Sequence, residues 1–241
     1  MPAAPLDAAD PPNPSQRHDL PRFDRPAFDG ARRKLLRDGR WANALVSLVD
    51  IDGRHWVVKD FAPRSWWVRN SIGRLFVRRE LATLRRLAGI DGVPPDAFRL
   101  DAHAITFGYM DGETLGRIDE ARQTPAYFAA LERLMRAIHA RGVVHLDTRG
   151  TGNVLMRPDG SPAVIDFQSA LSTRWMPGPL RRFLENIDLT GVYKKWLQRD
   201  AASMGPERIA LNERMTRWRR LWVLRGYAGA RKSHGRADGA P

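Results

Sequence analysis

The stretch VVHLDTRGTGNVLMRPDGSPAVIDFQSAL, residues 143–171, decides the fold of this chain. A β-branched pair leads to Asp147, and a loop of small residues then leads to Asn153. Two further apolar runs are joined by a Pro-Asp-Gly turn, and the second run ends at Asp166. This order of strand, acid, amide, hairpin and acid predicts that Asp147, Asn153 and Asp166 meet at the same end of a small sheet.

These three side chains suit the transfer of a phosphoryl group. Mg²⁺ prefers a few oxygen ligands and keeps part of its water, so Asn153 and Asp166 suffice when phosphates supply the other ligands. A second carboxylate that does not bind metal, here Asp147, can orient an acceptor hydroxyl and take its proton. A capped turn after a strand gives part of the same pattern, so the rest of the chain has to decide between the two interpretations.

Composition narrows the choice of partners. The 241 residues, 43% of them hydrophobic, provide for one domain or two small lobes with a sizeable core. The formal net charge of +13 favours nucleotides, nucleic acid, anionic lipid or phosphorylated sugars. The absence of cysteine excludes disulfides and thiol chemistry. Without a signal-peptide pattern or an apolar run of about 18 residues, a soluble cytoplasmic protein is expected.

A lysine in a predicted hairpin is a candidate phosphate ligand. Residues 41–49 and 54–61 are apolar segments separated by Asp52-Gly53, which is a strong hairpin signal. Lys59 lies near the end of the second segment. Such a lysine is either a solvated strand residue or the residue that holds the α- and β-phosphates of ATP.

The helix predicted over residues 73–88 helps to choose between these roles for Lys59. Glu80 lies at the centre of its apolar stripe, which is formed by Phe76, Val77, Leu84, Leu87 and Ala88. Burying an unpaired carboxylate is costly, so Glu80 requires a cationic partner. Lys59 is the first candidate for that partner, and an arginine is the alternative.

A hinge and a second lobe are predicted after this helix. Residues 98–100 and 104–109 form another strand pair, and backbone groups around Tyr109 and Met110 could pair with an adenine edge.

The second lobe should contain two core helices. Thr124 as N-cap, Pro125 at the first helical position and Gly142 just past the end bound the first of them. The second, over residues 181–196, has Leu184, Ile187, Asp188, Val192 and Trp196 at helical spacing.

Two segments combine tryptophan with arginine. Residues 63–74 include Trp66 and Trp67, and they form either a packed insert or a patch at a membrane interface. Residues 207–225 carry a stripe of Leu211, Met215, Trp218 and Trp222 among arginines. This second segment is either a terminal helix packed on the second lobe or a surface that docks on anionic lipid.

Taken in order, these motifs resemble those of RIO-like kinases and the related bacterial lipopolysaccharide-core sugar kinases, which are small atypical members of the protein-kinase superfamily. The resemblance covers about residues 38–170 and rests on Gly39-Arg40-Trp41-Ala42-Asn43, Val57-Val58-Lys59, Arg79-Glu80, Gly89-Ile90, Val93-Pro94, His145-x-Asp147, Asn153-Val154-Leu155 and Ile165-Asp166-Phe167-Gln168. It implies an α+β, bilobal fold with a small antiparallel-sheet N-lobe and a mainly helical C-lobe. The expected division is a disordered or loosely attached arm (1–30), the N-lobe (31–110), the C-lobe (111–228) and a frayed tail (229–241).

The resemblance also implies the roles of individual residues. Lys59 would contact the phosphates of ATP, Glu80 would orient Lys59, and Asp147 would be the catalytic base. Asn153 and Asp166 would bind Mg²⁺. The further nucleotide-binding residues would be Arg40, Ala42 and Asn43, in a phosphate loop that lacks G-x-G-x-x-G, together with Tyr109 and Met110.

The expected activity is that of an ATP-dependent kinase. Leu146 stands where related kinases carry an arginine that binds a phosphorylated activation loop, so no switch of that type is expected. The acceptor would be a protein Ser/Thr hydroxyl or a lipid-linked sugar, with contact to anionic membrane through the segments rich in Arg and Trp. A nucleic-acid partner is not expected, and the location would be cytoplasmic or peripheral on the inner face of the membrane. The alternatives are an ATPase switch, or a non-catalytic module that binds nucleic acid or membrane.

Overall fold

The computed structural model describes residues 22–39, 43–150 and 152–221. Its N-terminal part is a five-stranded antiparallel sheet with the strand order β1-β2-β3-β5-β4. The strands are β1 (Arg33–Asp38), β2 (Leu45–Ile51), β3 (Arg54–Asp60), β4 (Phe98–Arg99) and β5 (Ala104–Gly108).

The turn between β2 and β3 confirms the predicted hairpin. Asp52 and Gly53 both have positive φ, at 53° and 68°. Two successive left-handed residues match the right-handed twist of the strands, and Asp-Gly adopts this conformation readily.

One helical run follows β3 and covers the inner face of the sheet. It consists of α2 (Trp66–Val68), a π-helical turn (Arg69–Gly73) and α3 (Arg74–Arg86). The core side of α3 is formed by Val77, Leu81 and Leu84, which are buried, and Glu80 is buried among them. The predicted helix and its inward carboxylate are therefore present.

Residues 22–30 correct the predicted N-terminal arm. They include α1 (Arg25–Gly30), which Asp24 caps by accepting a hydrogen bond from the backbone N–H of Ala27 at 3.0 Å. Phe23 and Phe28 are buried in a second core with Trp56, Val58 and Phe98 on the outer face of the sheet. These residues are packed on the sheet because two aromatic side chains gain a buried site there. Residues 1–21 of the predicted arm and the predicted tail lie outside the described residues.

The C-terminal part is mainly helical and holds two small sheets, with strand orders β6-β8-β9 and β10-β7. Its elements are β6 (Glu113–Thr114), α4 (Pro125–Ala140), β7 (Val143–Val144), β8 (Val154–Met156), β9 (Pro162–Val164), β10 (Leu171–Ser172), α5 (Gly178–Arg199), α6 (Ala201–Met204) and α7 (Pro206–Leu221). Both predicted ends of α4 are present. The Thr124 hydroxyl accepts a hydrogen bond from the N–H of Tyr127 at 3.2 Å, and Gly142 has a φ of +69°. The α+β class is confirmed.

A buried carboxylate ties three helices of this part together. Glu132 of α4 accepts hydrogen bonds from the Tyr193 hydroxyl of α5 at 2.9 Å and from Arg208 Nε of α7 at 2.7 Å. Met215 of α7 is buried, whereas Trp218 is 58% exposed. Residues 207–221 of the second Arg/Trp prediction are thus a helix packed on the lobe, while Trp222 lies outside the described residues. None of the described helices is long and apolar enough to cross a membrane.

Candidate active site

A cavity of about 340 Å³ lies between the antiparallel sheet and the β8–β9 hairpin. Its walls combine apolar side chains with Arg37, Lys59, Asn153 and Asp166; the apolar residues include Val46, Val57, Phe107 and Ile165. Apolar walls with a few convergent polar groups are typical of a site for a small ligand.

Lys59 lies between two carboxylates in this cavity. Its Nζ donates to Glu80 Oε1 at 2.6 Å and to Asp166 Oδ1 at 2.7 Å. The Lys59 side chain is 8% exposed and that of Glu80 is 4% exposed, so the pair is shielded from water. The predicted pairing of Lys59 with Glu80 is therefore present, and Asp166 joins it across 107 positions of sequence.

The electrostatics of the cluster keep Lys59 charged. Burial on its own lowers the pKa of Lys59, but the carboxylates of Glu80 and Asp166 outweigh burial and hold that pKa above its ordinary value. Burial on its own would raise the pKa of Asp166, but the charge of Lys59 has the larger effect. The pKa of Asp166 therefore lies below its ordinary value. At neutral pH the site therefore presents an ammonium group and an ionised Asp166 carboxylate.

Asp147 and Asn153 are also in direct contact. The amide Nδ2 of Asn153 donates to Asp147 Oδ2 at 2.8 Å and to the backbone oxygen of Asp147 at 3.1 Å. These bonds use the amide nitrogen, so the amide oxygen of Asn153 is the atom left for a cation. Asp147 is exposed, as a group that meets an acceptor must be.

Asp188 of α5 holds the loop that carries Asp147. Its carboxylate is fully buried and accepts hydrogen bonds from the backbone N–H groups of His145 at 2.6 Å and Leu146 at 2.7 Å. Its backbone oxygen accepts from the Thr148 hydroxyl at 2.9 Å. The sequence analysis placed Asp188 in an apolar helical stripe without giving it a role. An acidic residue within such a stripe indicates a buried carboxylate that needs partners, and the same signal identified Glu80.

His145 connects this loop to Asp166. Its Nε2 lies 3.0 Å from the backbone oxygen of Ile165, and its ring packs edge-on against Phe167 at 4.8 Å.

Leu146 and Asp166 both adopt left-handed backbone conformations, with φ of 65° and 66°. A left-handed backbone costs leucine about 1–3 kcal/mol and persists only where the surroundings hold it, whereas aspartate tolerates it better. The strained Leu146, next to Asp147, thus indicates a functional site.

The predicted phosphate loop is described only at its ends. A Cβ on Gly39 would clash with the Cβ of Asn43 and would lie 2.6 Å from the backbone oxygen of Ala44, so the close approach there requires glycine. Arg64 links both ends by donating to the backbone oxygen of Asn43 at 2.9 Å and to Asp38 Oδ1 at 2.8 Å. Asn43 is exposed beside the loop, while Arg40 and Ala42 lie outside the described residues.

The backbone at Tyr109 limits the predicted contacts with adenine. Tyr109 and Met110 line it, but the Tyr109 N–H donates to the backbone oxygen of His55 at 3.0 Å. That donor is therefore not available to an adenine edge.

Arg37 was missed by the sequence analysis, and its Nη1 lies 4.0 Å from Asp166 Oδ2. All six residues of β1 are exposed, so the strand has no alternating pattern that would have predicted where Arg37 points.

The predicted metal ligands are compatible with a shared site. Asn153 and Asp166 line the same cavity and offer hard oxygen atoms. Across residues 22–39, 43–150 and 152–221 no group of three His, Asp or Glu side chains could hold a metal ion. A cation here would thus need oxygen atoms from a bound phosphate, as the sequence analysis supposed. The roles of all predicted site residues stay predictions.

A comparison with known protein families shows which family the chain belongs to. The family model described as RIO domain matches residues 57–194, more than half of the chain. The chain belongs to the RIO family. The match includes Lys59, Glu80, Asp147, Asn153, Asp166 and Asp188. No curated protein matches the chain.

Solved structures of Rio2 kinase from Chaetomium thermophilum share the fold of this RIO-family chain. One has a TM-score of 0.54 and 17% identity, over 81% of this chain and 75% of that one. A second, the complex described as Rio2 kinase-ADP/Mg2+-phosphoaspartate, has a TM-score of 0.50 and 16% identity, over 80% of this chain and 71% of that one. The kinase-like, two-lobed fold is thereby confirmed. Family and fold together support an ATP-using kinase, while the resemblance to lipopolysaccharide-core kinases stays a prediction.

Proposed function

We propose that this protein is an ATP-dependent kinase that transfers the γ-phosphate of ATP to an alcohol hydroxyl. The observation that carries the proposal is Lys59, held between Glu80 and Asp166 inside the cavity at 2.6 Å and 2.7 Å. The Glu80 carboxylate lies deep in the protein, and the Asp166 carboxylate lies at the cavity wall. The buried ammonium group of Lys59 can therefore keep its bond to Glu80 and exchange its bond to Asp166 for bonds to phosphate oxygens.

The remaining residues would then act on the two ends of the transfer. Bound Mg²⁺ would neutralise charge on the phosphates, with Asp166 and the amide oxygen of Asn153 to hold it. Asp147 would accept the proton of the attacking hydroxyl, and the Asn153 amide would keep that carboxylate in position. Catalysis of this kind relies on positioning and charge stabilisation, with little covalent chemistry from the protein.

The acceptor is a protein Ser/Thr hydroxyl or a lipid-linked sugar. The sequence lacks A-P-E, the element that supports peptide docking in ordinary protein kinases, which favours the sugar. Asp147 is exposed, so either acceptor could approach it.

An ATPase switch is the second candidate. The Rio2 kinase complex described above contains phosphoaspartate. In this chain Asp166 lines the cavity, and Asp147 contacts Asn153, which also lines it. A carboxylate oxygen could attack the γ-phosphorus with loss of ADP, and water would then release phosphate and restore the carboxylate.

Transfer of labelled γ-phosphate tests both candidates. Wild type and Asp147→Asn are incubated with ATP and Mg²⁺, with dephosphorylated casein or a lipid-linked core oligosaccharide as acceptor. A kinase labels an acceptor, and Asp147→Asn lowers that rate by about a hundredfold or more. An ATPase releases phosphate without acceptor and leaves a label on the protein that hydroxylamine removes. Unchanged transfer by Asp147→Asn would contradict the role of Asp147.

A further inference from the structure

The helical run after β3 exposes large apolar side chains at its beginning. Trp66 is 58% exposed and Trp67 is 76% exposed, and their rings contact each other edge-on at 4.7 Å. Ile72 and Leu75 follow on the same run, at 43% and 53% exposure. Single exposed apolar residues are ordinary, but four within ten positions of one helical run are more than isolated exposure accounts for, and this concentration indicates an interaction site.

The charged side chains of this segment all have one sign. Residues 61–79 contain five arginines and no Asp or Glu. Arg74 and Arg78 are exposed, and neither forms an ion pair with any acidic residue that the structure describes. We call Trp66, Trp67, Ile72, Leu75, Arg74 and Arg78 the docking face. It combines apolar side chains that leave water readily with cations that still need anionic partners.

We propose that the docking face binds the surface of an anionic membrane. Tryptophan rings favour the level of the lipid headgroups, where the ring is buried and the indole N–H stays hydrated. Arginines beside them gain from the negative potential of anionic lipids. The docking face lies on the helical run of residues 66–86, whose α3 part is packed in the core through Val77 and Leu84, so its exposed side chains can contact a surface without unfolding.

Charge argues against a second copy of the chain as the occupant. A two-fold contact would place the same arginine-rich segment against itself, and like charges that face each other across an interface repel. Nucleic acid is the less suited anionic partner, because the aliphatic side chains of Ile72 and Leu75 in the docking face offer no ring on which a base could stack.

The docking face is joined to the cavity in two ways. The same helical run carries Glu80, which pairs with Lys59. Arg64, just before Trp66, bonds to both described ends of the phosphate loop, at Asp38 and Asn43. A chain held at the lipid surface by this face would sit peripherally on the membrane and keep its cavity near a lipid-linked acceptor. That consequence for the acceptor rests on the proposed function, whereas membrane binding itself does not.

Vesicle co-sedimentation of the full chain tests the proposal without ATP. One set of vesicles is phosphatidylcholine alone, and the other is equal parts of phosphatidylcholine and phosphatidylglycerol. Wild type should sediment with the anionic vesicles only. The double variant Trp66→Ser/Trp67→Ser should bind them at least about tenfold more weakly. Arg74→Gln and Arg78→Gln should each weaken binding about fivefold at low salt.

Trp175→Ser is the matched control. Trp175 is 87% exposed and has Arg174 over its ring at 5.2 Å, but it lies outside the docking face. Its replacement should leave vesicle binding unchanged. Failure of wild type to bind anionic vesicles would overturn the proposal, and so would an equal loss in Trp175→Ser. Nucleotide-induced stabilisation of the same samples reports on the kinase cavity separately, so a failure of membrane binding is distinguishable from a failure of the proposed function.

Discussion

Two carboxylate clusters of this molecule differ in what could replace their partners. Around Lys59, charged side chains meet at the wall of a cavity, and Asp166 is 26% exposed on its side chain. Around Asp188, a fully buried carboxylate receives backbone N–H groups from a loop. Phosphate oxygens from a ligand can take the place of Asp166, whereas the Asp188 carboxylate is fully buried and out of reach of a ligand. The first cluster is therefore suited to binding and the second to positioning.

Asp188→Ala should give the largest effect, because it would leave two backbone N–H groups and His139 without their acceptor inside the protein. Removing one partner of a buried charged network costs about 3–5 kcal/mol. We expect the free energy of unfolding in urea to fall by about that amount. A fall below about 1 kcal/mol, the scale of an ordinary single hydrogen bond, would contradict a structural role.

Lys59→Met should abolish stabilisation by nucleotide. A ligand at a hundredfold excess over its dissociation constant stabilises the folded state by about 2.7 kcal/mol. Wild type should therefore melt at higher temperature with ATP and Mg²⁺ than without, and Lys59→Met should show no such rise. The comparison is made within each variant, since Lys59→Met also leaves Glu80 unpaired. Asp188→Asn serves as control, because it alters the positioning cluster and not the cavity.

Glu132→Gln should change how the free energy of unfolding depends on pH in the acid range. Burial on its own raises the pKa of Glu132, but hydrogen bonds from Arg136, Arg208 and Tyr193 outweigh burial and hold that pKa below its ordinary value of 4.5. A lowered pKa in the folded state contributes stability that is present above the unfolded value and is lost as pH falls through the folded value. At neutral pH the variant should lose about 1–3 kcal/mol.

The difference between wild type and Glu132→Gln should shrink as the pH falls below about 4.5. Urea midpoints measured across this range would show it. A constant difference at all pH values would mean that the charge of Glu132 does not stabilise the three-helix contact.

Arg37→Gln should have the smallest effect. The Arg37 side chain is 67% exposed and lies 4.0 Å from Asp166, and exposed pairs of this kind add at most about 1 kcal/mol to stability. Thermal stability without ligand should be unchanged. Affinity for ATP should fall several-fold, because Arg37 lines the cavity where phosphates are proposed to bind. A fall in stability with unchanged ATP affinity would assign Arg37 to the fold alone.

Local signals in the sequence were sufficient for several elements. Asp52-Gly53 specified a hairpin through its backbone preference, and Thr124, Pro125 and Gly142 bounded α4 through the hydrogen-bonding needs of helix ends. Glu80 identified Lys59 because a carboxylate in an apolar stripe requires a cation. Each of these inferences needs only a few neighbouring residues and one rule of physical chemistry.

Other features depended on contacts that no local pattern encodes. Phe23 and Phe28 lie in a proline-rich region that resembles a flexible arm, and only the exposed outer face of the sheet gives them a buried site. Asp188 had the same signal as Glu80, but its partners are backbone N–H groups, which every residue possesses. Arg37 reaches Asp166 across 129 positions of sequence from a strand without a buried face.

The packing of residues 22–30 bears on any attempt to isolate the kinase-like part. The family match begins at residue 57, but β1 and β2 precede it and Phe23 packs on Trp56 and Phe98. A fragment that begins at residue 57 would keep only residues 57–60 of β3, as an open edge strand, and would leave Phe98 without the Phe23 and Trp56 rings that cover it. Unpaired edges of this kind recruit other chains, so such a fragment should aggregate.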